Sequence, residues 1–174
     1  MKEFNILIAG SGGQGVQTIG KLMTEIGMEH GFEVSFIPSY GPEMRGGTSN
    51  CGVNISTEPI ASPLVVTPTQ LVALNLPSLD KFETSVVPGG SVIYDTDLIG
   101  RAPARTDVTY YGIPFTTLAE QLGVKANMLV SGKLLAVTGF CDPDGAESTI
   151  RALTAKRPAF FEPNMKALRA GFAL

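Results

Sequence analysis

A short apolar run, Phe4-Asn5-Ile6-Leu7-Ile8-Ala9, stops at Gly10-Ser11-Gly12-Gly13-Gln14-Gly15, and a helical pattern follows at once. That junction constrains the fold more than any other stretch, because a glycine-spaced turn between a strand and a helix belongs to an α/β chain. Gly10, Gly12 and Gly15 fit the G-x-G-x-x-G spacing. The first glycine permits a tight turn, the second lets a phosphate approach the backbone, and the third lets helix and strand pack closely. Free N–H groups and the positive dipole end at the helix start then favour an anion. The same glycines would equally serve close packing at a crowded turn, within this chain or against another. Both uses remain open on sequence alone.

The flanking pattern extends the motif into a fold. Val16, Ile19, Met23 and Ile26 recur at helical spacing, which marks one buried helix face. Gly31 suits a left-handed cap, and His30 lies near the negative end of the helix dipole. A second strand is expected over 33–37. Strand, helix, strand in this order is a βαβ unit with parallel strands and a right-handed crossover. Residues 38–48 read as loop, with a helical turn around 43–46. Cys51, Val53 and Ile55 alternate with Gly52, Asn54 and Ser56, the pattern of a half-buried strand. Pro59, Pro63 and Pro68 break up the next stretch. Further strands are expected over 71–76, 91–95 and 109–113, and helices over 79–87, 115–122, 127–140 and 144–154. Asn164 is expected to cap a last helix carrying Met165, Leu168 and Phe172 on one face. The fold class is therefore α/β and Rossmann-like, a mostly parallel sheet with helices on both faces and a helical C-terminal third. The chain has 174 residues and no linker-like tract, so 1–174 is expected to form one domain.

Several chemistries are disfavoured. A dinucleotide site needs an acid at the end of the second strand, to hold the adenosine ribose. Here that end reads Phe36-Ile37-Pro38-Ser39, and Glu33 lies at the strand's start. Gly20-Lys21 and Gly132-Lys133 are each followed by Leu, where a phosphate-binding loop needs Ser or Thr. The net charge of −3 gives no footprint for nucleic acid. No apolar run approaches the ~20 residues of a membrane span. The start Met-Lys-Glu-Phe-Asn-Ile-Leu-Ile is too short and too acidic for a secretory signal, and a cytoplasmic location is expected. Cys51 and Cys141 are the only cysteines; their separation excludes a C-x-x-C site, and both read as reduced core thiols. With a single histidine, His30, neither a Ser-His-Asp nor a metal-histidine arrangement has much to build on.

A second polar loop is Ser39-Tyr40-Gly41-Pro42-Glu43-Met44-Arg45-Gly46-Gly47. Arg45 offers a planar fork for carboxylate or phosphate, and the flanking glycines let a ligand or partner backbone come close. A local Arg45–Glu43 pair is the plainer alternative and would be worth little. Asp95 and Asp97 follow a strand on the same sheet edge as the glycine turn and read as turn-forming acids before a metal pair. Asn127 reads as a helix N-cap. Tyr110-Tyr111 and Phe160-Phe161 read as core or subunit contacts.

Taken together, Gly12-Gly13-Gln14-Gly15, the Tyr40–Gly47 segment, and Ile60 with Ser62-Pro63 give the chain a family likeness. It continues through Gly123, Ala126-Asn127-Met128 and Gly132 to Lys166-Ala167 and Gly171. The sequence resembles the gamma subunit of 2-oxoacid:ferredoxin oxidoreductases over almost its whole length. The Tyr-Gly-Pro-Glu-Met-Arg-Gly-Gly form is most similar to the 2-oxoglutarate and branched-chain (2-oxoisovalerate) members. The resemblance implies a complex that decarboxylates a 2-oxoacid such as pyruvate on thiamine diphosphate with Mg. It passes electrons through iron–sulfur clusters to ferredoxin and forms an acyl-CoA. This chain lacks a G-D-G…N segment, the nearest approach being Asp144-Gly145, and it has no cysteine set for a cluster. Those cofactors are therefore expected on alpha and beta subunits, and in some members a delta subunit.

No residue of this chain is assigned a catalytic role. Gly12, Gly13, Gln14 and Gly15, with Tyr40, Glu43, Arg45, Gly46 and Gly47, are expected to form an active-site rim or a contact for CoA or a substrate anion. Two other functions remain open on sequence: a free-standing nucleotide-binding protein, and an interaction module without a ligand.

Overall fold

The computed structural model describes residues 2–39 and 48–174. Six strands form one sheet in the order β2-β3-β1-β4-β5-β6. They are β1 (Glu3–Ser11), β2 (Glu33–Ser39), β3 (Thr48–Ser56), β4 (Gln70–Ala73), β5 (Ser91–Asp95) and β6 (Thr109–Ile113). β1, β4, β5 and β6 are parallel neighbours, while β3 runs antiparallel to both β1 and β2. The strands on either side of the first crossover thus share a direction, as their order requires, but they do not touch. β3 lies between them.

The helices are α1 (Val16–Glu29), α2 (Leu76–Phe82), α3 (Phe115–Leu122), α4 (Ala126–Thr138), α5 (Glu147–Leu153) and α6 (Phe161–Ala173). Alternation along the strands sends side chains to two separate cores. Ile6, Ile8, Val53, Val72 and Ile93 join Val16, Ile19, Met23, Ile26 and the buried side of α4 in the larger one. Leu7, Leu71, Ala73 and Val92 pack with Leu79, Val86 and Ile99 in the smaller one, on the opposite face. Both faces are covered, as a largely parallel sheet demands, but the cover is unequal. α2 and the 3-10 turn Glu83–Ser85 serve the second face.

β3 departs from the half-buried expectation: Gly52, Asn54 and Ser56 are buried along with Cys51, Val53 and Ile55. The proline-broken segment 57–68 supplies the missing cover. Val65 sits 3.1 Å from where a β-carbon on Gly52 would stand, and Asn54 Nδ2 donates to Pro63 O at 2.9 Å and Ser35 Oγ at 2.8 Å. A loop carbonyl thus satisfies the amide that solvent would otherwise have to reach.

α4 is buried from Met128 to Leu135 and crosses α6 at very short range. A β-carbon on Gly132 would overlap the Leu168 carbonyl, and one on Gly171 would overlap the Leu129 carbonyl. Two expected caps shift. α6 begins at Phe161, which places Asn164 inside the helix; Pro163 is tolerated because first-turn N–H groups lack helical partners anyway. Likewise Lys125 is the N-cap of α4, and Asn127 lies within the first turn. No helix among the described residues is long and apolar enough to cross a membrane.

Candidate functional site

At the carboxyl end of β1 the chain turns through Gly12 and Gly13 into α1. Gly13 has φ +90° and Gly15, the N-cap of α1, has φ +80°, a region that costs an L side chain energy. Gln14 closes the turn. Its Oε1 accepts from Ser11 N at 2.6 Å, and its Nε2 donates to Leu74 O at 2.9 Å. The Gln14 amide is therefore committed to backbone at the ends of β1 and β4. Asn75 adds a second tie: its Nδ2 donates to Ser11 Oγ at 2.6 Å while its Oδ1 caps α2.

These strand ends meet where the chain's connections diverge to the two faces of the sheet, the position at which open α/β sheets form crevices. A crevice of about 460 Å3 opens there. Its wall combines first-turn positions of three helices: Gly15 and Thr18 from α1, Phe115 and Thr116 from α3, Ala126 and Asn127 from α4. Leu74, Asp95 and Lys125 complete it. Three helix starts and Lys125 line one space with Asp95, and the helix starts favour an anion. Asn127 packs across Gly15, and its Oδ1 is buried with no hydrogen-bond partner among the described residues. A buried acceptor left unpaired costs about 1–3 kcal/mol.

Asp95 and Asp97 serve α3. Asp95 accepts from Thr116 Oγ1 at 2.7 Å and Asp97 N at 3.0 Å, and Asp97 accepts from Thr117 N at 2.7 Å. These bonds fix the helix start that faces the crevice, in keeping with turn-forming acids. Among the described residues no three His, Cys, Asp or Glu side chains gather as metal ligands. Asp144, the nearest approach to a diphosphate-and-magnesium motif, is exposed and pairs with Arg169 at 3.0 Å.

Neither thiol belongs to the crevice. Burial pushes the Cys51 thiol up to about 12 and the Cys141 thiol up to about 11. His30 Nε2 lies 3.0 Å from Gly145 O and 3.2 Å from Cys141 Sγ, tying the end of α1 to the α4–α5 connection.

Of the expected rim, Gly13, Gln14 and Gly15 line the crevice, while Gly12 is exposed on the turn beside it. Tyr40, Glu43, Arg45, Gly46 and Gly47 lie outside the described residues. The strand that follows them starts at Thr48, directly opposite Ser11. With β3 inserted, Ser39 at the end of β2 lies two strands from β1, too far across the sheet for the ribose contact of a dinucleotide fold. Thr18, Thr116 and Lys125 were not singled out by sequence; the available signal was Gly123 followed by a helix start.

A family model described as pyruvate ferredoxin/flavodoxin oxidoreductase matches residues 5–174. The ketoisovalerate oxidoreductase subunit VorA of Methanothermobacter marburgensis is 38% identical over 174 residues, covering 98% of this chain. The chain spans only 36% of that relative's length. The 2-oxoglutarate synthase subunit KorC of Methanocaldococcus jannaschii is 35% identical over 173 residues, covering 96% of this chain and 91% of the relative. Among solved structures, the gamma subunit of a keto/oxoacid ferredoxin oxidoreductase from Geobacter sulfurreducens superposes with a TM-score of 0.81 at 30% identity, over 98% of this chain and 96% of that one. A 2-oxoglutarate:ferredoxin oxidoreductase from Magnetococcus marinus, solved with 2-oxoglutarate, coenzyme A and succinyl-CoA bound, shares the fold with a TM-score of 0.86. Its identity is 22%, and this chain covers 31% of it.

Proposed function

We propose a function from one premise: the chain belongs to the pyruvate ferredoxin/flavodoxin oxidoreductase family. It acts as the gamma-type component of a cytoplasmic 2-oxoacid:ferredoxin oxidoreductase, with residues 1–174 serving as one unit. The complex oxidatively decarboxylates a 2-oxoacid to an acyl-CoA and reduces ferredoxin. Thiamine diphosphate, Mg and the iron–sulfur clusters sit on alpha and beta subunits, with a delta subunit in some assemblies. This chain closes over the active site they build.

The observation that carries the proposal is the crevice at the carboxyl edge of the sheet, where three helix amino ends and Lys125 converge beside the glycine turn. It supports a place for the anionic part of CoA or of the substrate. Gly12, Gly13, Gln14 and Gly15 form one side of that rim, and Tyr40, Glu43, Arg45, Gly46 and Gly47 the other. Affinity purification of the tagged chain from its native cell tests the assembly. Recovery of thiamine-dependent subunits with 2-oxoacid-dependent ferredoxin reduction is expected, and a chain recovered alone would sink the proposal.

A further inference from the structure

Part of the connection between β3 and β4 lies as a strap on the smaller-core face of the sheet. The register sets Leu7, Gly52 and Ile37 side by side across β1, β3 and β2, and such cross-strand neighbours share a face. Val65 fills the gap that Gly52 leaves between the other two, 3.1 Å from where a β-carbon would stand. Pro63 O accepts from Asn54 Nδ2 at 2.9 Å, and Ser62 Oγ accepts from Leu64 N at 3.3 Å. The strap therefore runs along β3, with Pro63 held over Asn54 and Val65 over Gly52.

This anchoring leaves Leu64 and Val66 61% and 72% exposed, the two most exposed large apolar side chains among the described residues. Ile37, the cross-strand neighbour of Gly52, is exposed as well. Exposed aliphatics scattered singly are ordinary, whereas a group of them on one fixed patch marks a surface that another protein covers. The strap takes no part in the wall of the glycine-turn crevice, so a ligand there leaves the patch bare. Ile37 stands two residues before the end of β2, and in the chain the patch therefore adjoins the segment proposed as the second side of the rim.

The relatives point to the occupant. This chain spans 36% of the VorA relative, so the greater part of that polypeptide lies outside the domain, whereas it spans 91% of the KorC relative. The same domain thus occurs with and without a large further polypeptide attached. Without the covalent link, it needs an adhesive face of its own. We infer that the strap is that face: Leu64 and Val66, with Ile37 beside them, enter an aliphatic groove on the subunit that corresponds to the further polypeptide. The inference rests on the proposed function, because it takes this chain to work inside an assembly. Docking needs little reordering, since Asn54, Ser62 and Gly52 already hold the strap.

Tagged wild type and a Leu64→Ser/Val66→Ser double variant, each expressed in the native cell, provide the test. The thiamine-dependent subunits that co-elute are identified and quantified against the tagged chain by mass spectrometry. The double variant is expected to retain about tenfold less of them than the wild type, with an unchanged melting temperature for the chain itself, because both replaced side chains are exposed. Leu98→Ser, at another exposed aliphatic beyond the end of β5 and three strands from β3, is expected to retain them fully. If the double variant does not fold, Val66→Lys carries the same comparison. Equal recovery with the double variant and the wild type, or an equal loss with Leu98→Ser, overturns the docking face and leaves the proposed function standing. A wild type that recovers only further copies of itself, or no subunit at all, overturns both.

Discussion

The side-chain amide of Asn127 lies across Gly15, its nitrogen 2.6 Å from where a β-carbon on that glycine would stand. This contact brings the start of α4 onto the start of α1 and so sets the width of the crevice. Gly15→Ala must strain the backbone at φ +80° and also displace Asn127, a loss of roughly 2–4 kcal/mol. Gly13→Ala, at φ +90° with nothing within 4 Å, carries the backbone cost alone, about 1 kcal/mol. Thermal melts of the two variants compare them directly. Equal losses would show that Asn127 does not hold the crevice wall.

Gly171 is buried where α6 meets the Leu129 carbonyl of α4. Gly171→Ala forces two packed helices apart, and a loss of about 3 kcal/mol or more is expected. Urea unfolding measures it. A change below about 1 kcal/mol would mean the crossing is looser than the geometry states.

Glu83 is buried on the smaller face, where Arg101 Nη2 and Tyr110 Oη bind its carboxylate at 2.6 and 2.5 Å. Burial alone would raise its pKa, but the hydrogen bonds from Arg101 and Tyr110 outweigh that and hold it below the ordinary carboxylate value. A carboxyl depressed in the folded state stabilises above its unfolded pKa, and that contribution is lost as pH falls through the folded value. Urea midpoints should therefore drop for the wild type below about pH 4. Glu83→Gln should be less stable by about 3 kcal/mol at neutral pH, and its midpoint should change less with acid. Parallel pH curves for the two proteins would refute this.

The two thiols should be inert in the native chain. A disulfide reagent at pH 8 meets almost no thiolate at either site, because Cys51 is pushed up to about 12 and Cys141 to about 11. Cys141 is expected to react first, and both quickly once urea is added. Rapid native labelling of Cys51 would contradict its burial.

Arg45→Ala separates a ligand-binding rim from a purely structural one. Turnover of the complex should fall by about tenfold or more, with the subunits still co-purifying. Unchanged turnover would assign the Arg45 loop to packing alone.

Much of the fold was legible in short-range pattern. The faces of α1 and the strands β1, β5 and β6 follow from apolar spacing, because neighbours within a few residues decide them. The insertion of β3 between β1 and β2 was not legible, since strand order depends on pairing between distant segments. The burial of Gly52 and Asn54 was hidden for the same reason: their cover, Val65 and Pro63, comes from a stretch that reads only as proline-broken loop. The crevice shows both limits. Its glycines announce themselves, but Lys125, Thr116 and Thr18 meet them only in three dimensions. Asn127 was noticed for a cap it does not make.

The antiparallel neighbourhood of β2 and β3 has a consequence for how such chains diversify. Ser39 and Asn50 stand opposite each other at the end of that pair, so the intervening segment departs from and returns to adjacent strands. Insertions, deletions and new residues there leave the spacing of β1, β4, β5 and β6 unchanged. Selection can therefore rewrite the segment between β2 and β3 while inheriting the glycine turn and the helix starts beside it intact.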